Sequence, residues 1–169
     1  MSKAFTRESD DSPDPPAPAR PLSSLPPGAK NYLTVDGALK LRAELDHLLQ
    51  IERPQVAALP DPDQARRQLQ ILDQRIAHLD HSLRSAVVVP PPGTSEDKVR
   101  FGATVTVRDR AGSESTYRIV GVDETDVDRG WVSWCSPIAR ALLNARTGQR
   151  VRLRLPAGDQ ELEILRIQP

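Results

Sequence analysis

Apolar residues recur through the first half of the chain at alternating steps of three and four. Ala38, Leu41, Leu45 and Leu48 begin the pattern and Val56 and Leu59 continue it, the spacing that keeps one stripe of a helix apolar. Thr34 is placed to cap this helix, and Asp36 falls in its first turn, where a negative charge meets the positive end of the helix dipole. Glu52 occupies the seam register between Leu48 and Val56, and Pro54 lies inside the pattern. A kink or restart is expected there, because proline has no amide to donate and its ring crowds the preceding turn. Pro60-Asp61-Pro62-Asp63 then forbids further helix and predicts a turn. From Ala65 a second stripe runs through Leu69, Leu72, Ile76, Leu79, Leu83 and Ala86, again in steps of three and four, the mark of a coiled-coil seam. Neither arm can bury its stripe alone, and so short a turn folds the second back along the first. The expectation is an antiparallel coiled-coil hairpin with arms of about 23 to 25 residues, some 35 Å long at about 1.5 Å per residue.

The second arm is expected to run through Val87-Val88-Val89 and to end at Pro90-Pro91-Pro92-Gly93, with residues 94–97 completing a polar linker. Beyond it the period changes to two. Ala103, Val105 and Val107 alternate with Thr104, Thr106 and Arg108, Gly112 marks a turn, and residues 115–122 form the return strand. Residues 131–134, 151–155 and 161–167 read as three more strands, and residues 137–144 as a short helix with Ile138, Ala141 and Leu142 inward. The fold class is α+β: an N-terminal antiparallel coiled-coil hairpin plus a C-terminal antiparallel sheet with one short helix. The chain divides into four segments: a Pro-rich arm at 1–30, the hairpin at 31–89, the linker at 90–97 and the sheet module at 98–169. The arm carries seven prolines among Ser, Asp and Arg and too little apolar material to offset the entropy of ordering, so it reads as disordered.

Composition narrows the function classes. Twenty-three basic residues balance 23 acidic ones, so bulk charge gives no long-range attraction to nucleic acid. The single Cys135 excludes an internal disulfide and any multi-cysteine metal site and is compatible with a reducing cytosol. No apolar run approaches the length of a membrane span and no signal-peptide core is present, so a cytoplasmic protein without a membrane partner is expected. His78 and His81 share a helix face at a spacing of three, but no cysteine lies near to complete a zinc set, and with His47 they read as solvated helix residues. There is no phosphate loop, nucleophile elbow or metalloprotease motif. No intrinsic cofactor or metal is expected. Asp61 and Asp63 stand out, since a hairpin tip can present two acids at the end of a long lever. Two carboxylates can share a divalent cation when a partner supplies the other ligands, although aspartate beside proline is also ordinary turn chemistry.

Several ordered motifs resemble one known family. Asn31-Tyr32-Leu33-Thr34-Val35-Asp36-Gly37-Ala38, Leu41-Arg42-Ala43-Glu44-Leu45 and Glu52-Arg53-Pro54 look like the opening of a GreA/GreB transcript cleavage factor. Phe101-Gly102-Ala103-Thr104-Val105, Tyr117-Arg118-Ile119-Val120-Gly121-Val122-Asp123-Glu124 and Ser136-Pro137-Ile138-Ala139-Arg140-Ala141-Leu142-Leu143 are similar to that family's C-terminal domain in content and order. Thr147-Gly148-Gln149 and Leu155-Pro156-Ala157-Gly158 complete a likeness that spans about residues 31 to 168. The resemblance implies a coiled coil that enters the secondary channel of bacterial RNA polymerase and an FKBP-like C-terminal domain that docks at the channel rim. Nucleic acid would then be met only indirectly, through the elongation complex. In the family the Ser-Pro segment and the acidic loop before it contact the rim, which corresponds here to Asp123, Glu124, Ser136, Pro137, Ile138 and Ala139.

The likeness breaks at the tip. Family cleavage factors carry a longer hairpin whose acidic end holds the second magnesium of the polymerase active site, and here that stretch is replaced by Leu59-Pro60-Asp61-Pro62-Asp63. About a dozen residues fewer, about six per arm, shorten the reach by nearly 10 Å, whereas metal ligation tolerates only a few tenths of an ångström. The expectation is a channel-occupying regulator, not itself an enzyme, without efficient cleavage stimulation. The alternative is a working cleavage factor in which Asp61 and Asp63 share the polymerase's Mg2+. An isomerase or chaperone, suggested only by the FKBP-like fold, is the least favoured, since function does not follow fold.

Overall fold

The computed structural model describes residues 25–93 and 97–169. Most of the arm expected at 1–30, and the middle of the linker expected at 90–97, lie outside those residues. The chain opens with a short strand, β1 (Asn31–Thr34), and turns directly into α1 (Val35–His47), where Thr34 Oγ1 accepts a hydrogen bond from Gly37 N at 3.0 Å. Leu48–Glu52 is a π-helical turn in which Arg53 N donates to Leu48 O, and α2 (Arg53–Ala57) follows with Pro54 in its first turn. The wider turn accommodates a residue that can neither donate nor tolerate the carbonyl of a regular preceding turn. Glu52 stays half-buried on the same face as Val56 and Leu59, and its carboxylate pairs with His47, Nε2 to Oε1 at 3.3 Å.

Asp61 caps α3 (Pro62–Ser85), a helix of 24 residues and therefore about 36 Å long. The two arms pack side by side. Leu41, Leu45, Leu48 and Leu79 are buried in one cluster with Leu33 of β1, and Ala38, Leu72, Ile76, Leu83 and Ala86 pack against it. The second arm stops earlier than its periodicity suggests. Ala86–Val89 forms a strand, β2, that pairs in parallel with β1, Asn31 opposite Ala86 and Thr34 opposite Val89. Three consecutive β-branched valines favour extended backbone over helix. The whole helical hairpin is thus the crossover that joins two parallel strands.

The second sheet has five strands in the order β5-β4-β3-β7-β6. These are β3 (Thr104–Asp109), β4 (Glu114–Val120), β5 (Trp131–Ser133), β6 (Arg150–Leu155) and β7 (Gly158–Gln168), with α4 (Pro137–Leu142) between β5 and β6. Alternation put each strand close to its place, but the expected all-antiparallel sheet is corrected at one pair. β5 runs parallel to β4, Arg118 opposite Trp131, because residues 121–130 carry the chain back to the level of Arg118 rather than turning in a hairpin. Val105, Val107, Ile119, Leu142 and Ile164 are the fully buried centre of this unit, with Ala139 on α4 closing it.

Candidate functional site

The short 3-10 turn Val122–Glu124 after β4 fastens the sheet unit to the base of the hairpin. Glu124 Oε2 accepts hydrogen bonds from Thr34 N and Gly121 N, each at 2.9 Å, and Thr34 Oγ1 donates to Glu124 Oε1. The Thr34 hydroxyl therefore accepts from the α1 backbone and donates across the junction at once. Asp123 reaches the other arm: His78 Nε2 lies 3.0 Å from its Oδ1, and Ser82 Oγ donates to its Oδ2. Only 11% of the Asp123 side chain and 23% of that of His78 is exposed. Asn31, buried on β1, adds Nδ2 contacts to Ser82 O at 3.0 Å and Ser82 Oγ at 3.1 Å. Two adjacent carboxylates thus grip α1 and α3 separately, which fixes the direction of the hairpin relative to the sheet.

Two glycines make the grip possible. A Cβ on Gly37 would lie 1.8 Å from Glu124 Oε1, and one on Gly121 would lie 2.3 Å from Tyr32 O. Glycine inside a helix costs about 1 kcal/mol relative to alanine, and here close approach of the carboxylate requires it. Sequence reasoning missed Thr34, His78 and Ser82 as junction residues. The signal available was Gly37 in the first turn of a capped helix, an unfavourable residue that packing must explain. His78 is accordingly not a solvated helix residue, whereas His81 is exposed.

The six residues expected to form a docking surface fall into two groups. Asp123 and Glu124 face the hairpin. Ser136 Oγ accepts from Ala139 N at 3.2 Å and caps α4, Pro137 is exposed in its first turn, Ile138 packs partly on the sheet core, and Ala139 is fully buried. Outward contact from this segment therefore falls to Pro137 and the neighbouring exposed Arg140. Tyr32 on β1 packs at a tilt against Phe101 and edge-to-face against Trp134, at centroid distances of 5.9 and 5.3 Å, a second tie between the units. Lys40 of α1 and Arg118 and Arg129 of the sheet unit gather around the Trp131 ring at 4.8, 5.1 and 5.4 Å. Cys135 Sγ lies 2.9 Å from Ser133 Oγ.

At the far end of the hairpin Asp61 and Asp63 are both exposed. Asp61 Oδ1 accepts from Asp63 N at 2.9 Å and Gln64 N at 3.3 Å, so its carboxylate terminates α3. Among the described residues no group of three or more His, Cys, Asp or Glu is placed to hold a metal ion. Arg53 of α2 crosses to Asp73 of α3, Nε to Oδ1 at 2.8 Å, and that hydrogen bond raises the Arg53 pKa. No helix among the described residues is long and apolar enough to cross a membrane.

A transcription elongation factor GreB of Neisseria meningitidis serogroup A is 39% identical over 153 residues, a match that takes in 82% of this chain and 94% of that one. The chain belongs to the GreA/GreB family of transcription elongation factors. The family model described as "Transcription elongation factor, GreA/GreB, C-term" matches residues 94–169, which contain the five-stranded sheet. A transcription elongation factor GreA of Alkalilimnicola ehrlichii is 38% identical over 154 residues, covering 82% of this chain and 98% of its own. Among solved structures, the GreA factor homolog 1 (Gfh1) protein of Thermus thermophilus is 22% identical, with 83% of this chain and 100% of that chain covered and a TM-score of 0.40.

Proposed function

We propose that this GreA/GreB-family factor binds bacterial RNA polymerase at the secondary channel, inserts its helical hairpin as a coiled-coil rod and regulates elongation without efficient stimulation of transcript cleavage. The FKBP-like sheet module, residues 98–169, carries the docking surface at the channel rim, with Pro137 as its exposed point. The observation that carries the reading is the tip: the Asp61 carboxylate is engaged as the cap of α3. A group held by two backbone amides is oriented for turn formation, and metal ligation is unforgiving of misplacement. The alignments run over 153 and 154 positions yet take in 82% of a 169-residue chain, so the relatives carry positions with no counterpart here.

On this reading the protein is an accessory factor in the cytoplasm, and any cleavage chemistry belongs to the polymerase. It carries no cofactor of its own and meets nucleic acid only through the elongation complex. A second reading, that Asp61 and Asp63 complete the shell of a polymerase-bound Mg2+, draws on their joint exposure at the tip and requires deeper docking. Binding is tested by co-purification with core polymerase. Wild-type protein is expected to be retained and Pro137→Asp to be lost; failure of the wild type to bind rejects the proposal.

A further inference from the structure

The outer half of the hairpin has an unpartnered face. On α3 only Ala65, Leu79 and Ser82 are buried, and α2 buries no residue. A groove of about 980 Å³ runs along the flank of α3, floored by Leu59, Pro62, Ala65, Leu69 and Ala77 and edged by Arg66, Gln70, Asp73 and Gln74. Small and apolar side chains at i, i+3/i+4 spacing are what a facing helix requires. We propose that this groove is a self-association surface in which the α3 helix of a second copy lies antiparallel, with the two-fold axis between Leu69 and Gln70.

The charges select that occupant. In an isologous contact every residue meets its symmetry mate's opposite number. About the stated axis, Arg66 lies across from Asp73 of the second copy, and Asp73 lies across from Arg66 of the second copy. The same operation sets Pro62 beside Ala77 at the ends, Ala65 beside Gln74, and Leu69 beside Gln70 at the centre. Arg66 has no partner among the described residues, whereas Asp73 shares its carboxylate with Arg53 in a pair about half exposed on both sides. Such an exposed pair contributes little on its own, and a carboxylate has capacity for a further donor. A contact running from Pro62 to Ala77 is about 24 Å long, a single helix pair, so a reversible, concentration-dependent dimer is expected. The tip of each copy would lie against the middle of the other. If the proposed insertion into polymerase holds, dimer and inserted monomer exclude each other, but the dimer itself does not depend on that function.

Sedimentation equilibrium of the full chain, without polymerase, is the test. The wild type is expected to show a concentration-dependent monomer–dimer equilibrium. Arg66→Asp places four acids on the axis and Asp73→Arg four bases, so each variant alone is expected to dissociate at least tenfold more readily. An equimolar mixture of the two is expected to regain association, because every pair across the axis is then opposite in charge. Circular dichroism of each variant confirms that the helices persist. A wild type that remains monomeric at its highest soluble concentration, a dimer indifferent to both reversals, or a mixture that stays monomeric overturns the proposal.

Discussion

The two ends of the hairpin are built on opposite terms. At the base, Leu41, Leu45 and Leu79 are almost or fully shielded, and hydrogen bonds from Thr34, Ser82 and the Gly121 backbone converge on two carboxylates of the sheet unit. At the outer end, Leu59 and Leu69 remain partly open, Ile71 is 68% exposed, and the polar ties are an exposed ion pair and a side-chain cap. The difference shows which end is anchored and which is presented. An end that packs completely sets direction; an end that leaves its seam half covered is completed by whatever it meets.

The sharpest break of this contrast is a matched pair of truncations. Leu79→Ala is expected to cost about 2–5 kcal/mol, the range for a fully buried leucine, while Leu69→Ala is expected to stay under about 1.5 kcal/mol because much of its surface is already in water. Urea unfolding of both variants measures this, and equal losses would mean that the outer end is as well packed as the base. Next comes the junction. Glu124→Ala strips the acceptor from Thr34 N and Gly121 N and is expected to cost about 1–3 kcal/mol, with faster amide exchange at Thr34. Gly37→Ala is expected to fall in a similar range, about 1–3 kcal/mol, since the methyl group displaces the same carboxylate. If Gly37→Ala has no effect on stability, the close approach is not maintained in solution.

Asp61→Ala sharpens the comparison from the other side. Loss of the α3 cap is expected to cost about 1 kcal/mol, with hydrogen exchange accelerated in the first turn of α3 and unchanged at the base. The smallest effect is electrostatic and lies outside the hairpin. Arg110 donates to Glu161 Oε2 at 2.6 Å and, chiefly through that hydrogen bond, holds the Glu161 carboxyl below its ordinary range. A carboxyl whose folded pKa is depressed contributes stability above its unfolded value and loses it as pH falls through the folded one. Arg110→Ala is therefore expected to move the Glu161 titration upward toward the ordinary glutamate value, read by NMR.

The helical arms and the strands were legible because their signal is local. Leu41, Leu45, Leu48 and Leu69, Leu72, Ile76, Leu79 declare a helix period, and Val105 and Val107 a strand period, without reference to anything distant. The cap of Thr34 was readable for the same reason. What escaped the sequence was pairing at long range. The parallel joining of Asn31–Thr34 to Ala86–Val89, and of β5 to β4, depends on how the intervening chain returns, and the valine run was absorbed into the preceding helical stripe. The candidate site was hidden for a related reason. Asp123 and Glu124 stand out as an acidic pair in a loop, but their partners are 41 to 90 residues away, so nothing in the local pattern indicates that they face inward.

Transcript cleavage in backtracked elongation complexes tests the central claim most directly. With the factor saturating the complexes, release of short 3′ RNA fragments is expected to remain near the rate without factor and to be the same for wild type and for Asp61→Asn. Rapid release that disappears in Asp61→Asn would show that the tip reaches the catalytic magnesium, and would contradict the account.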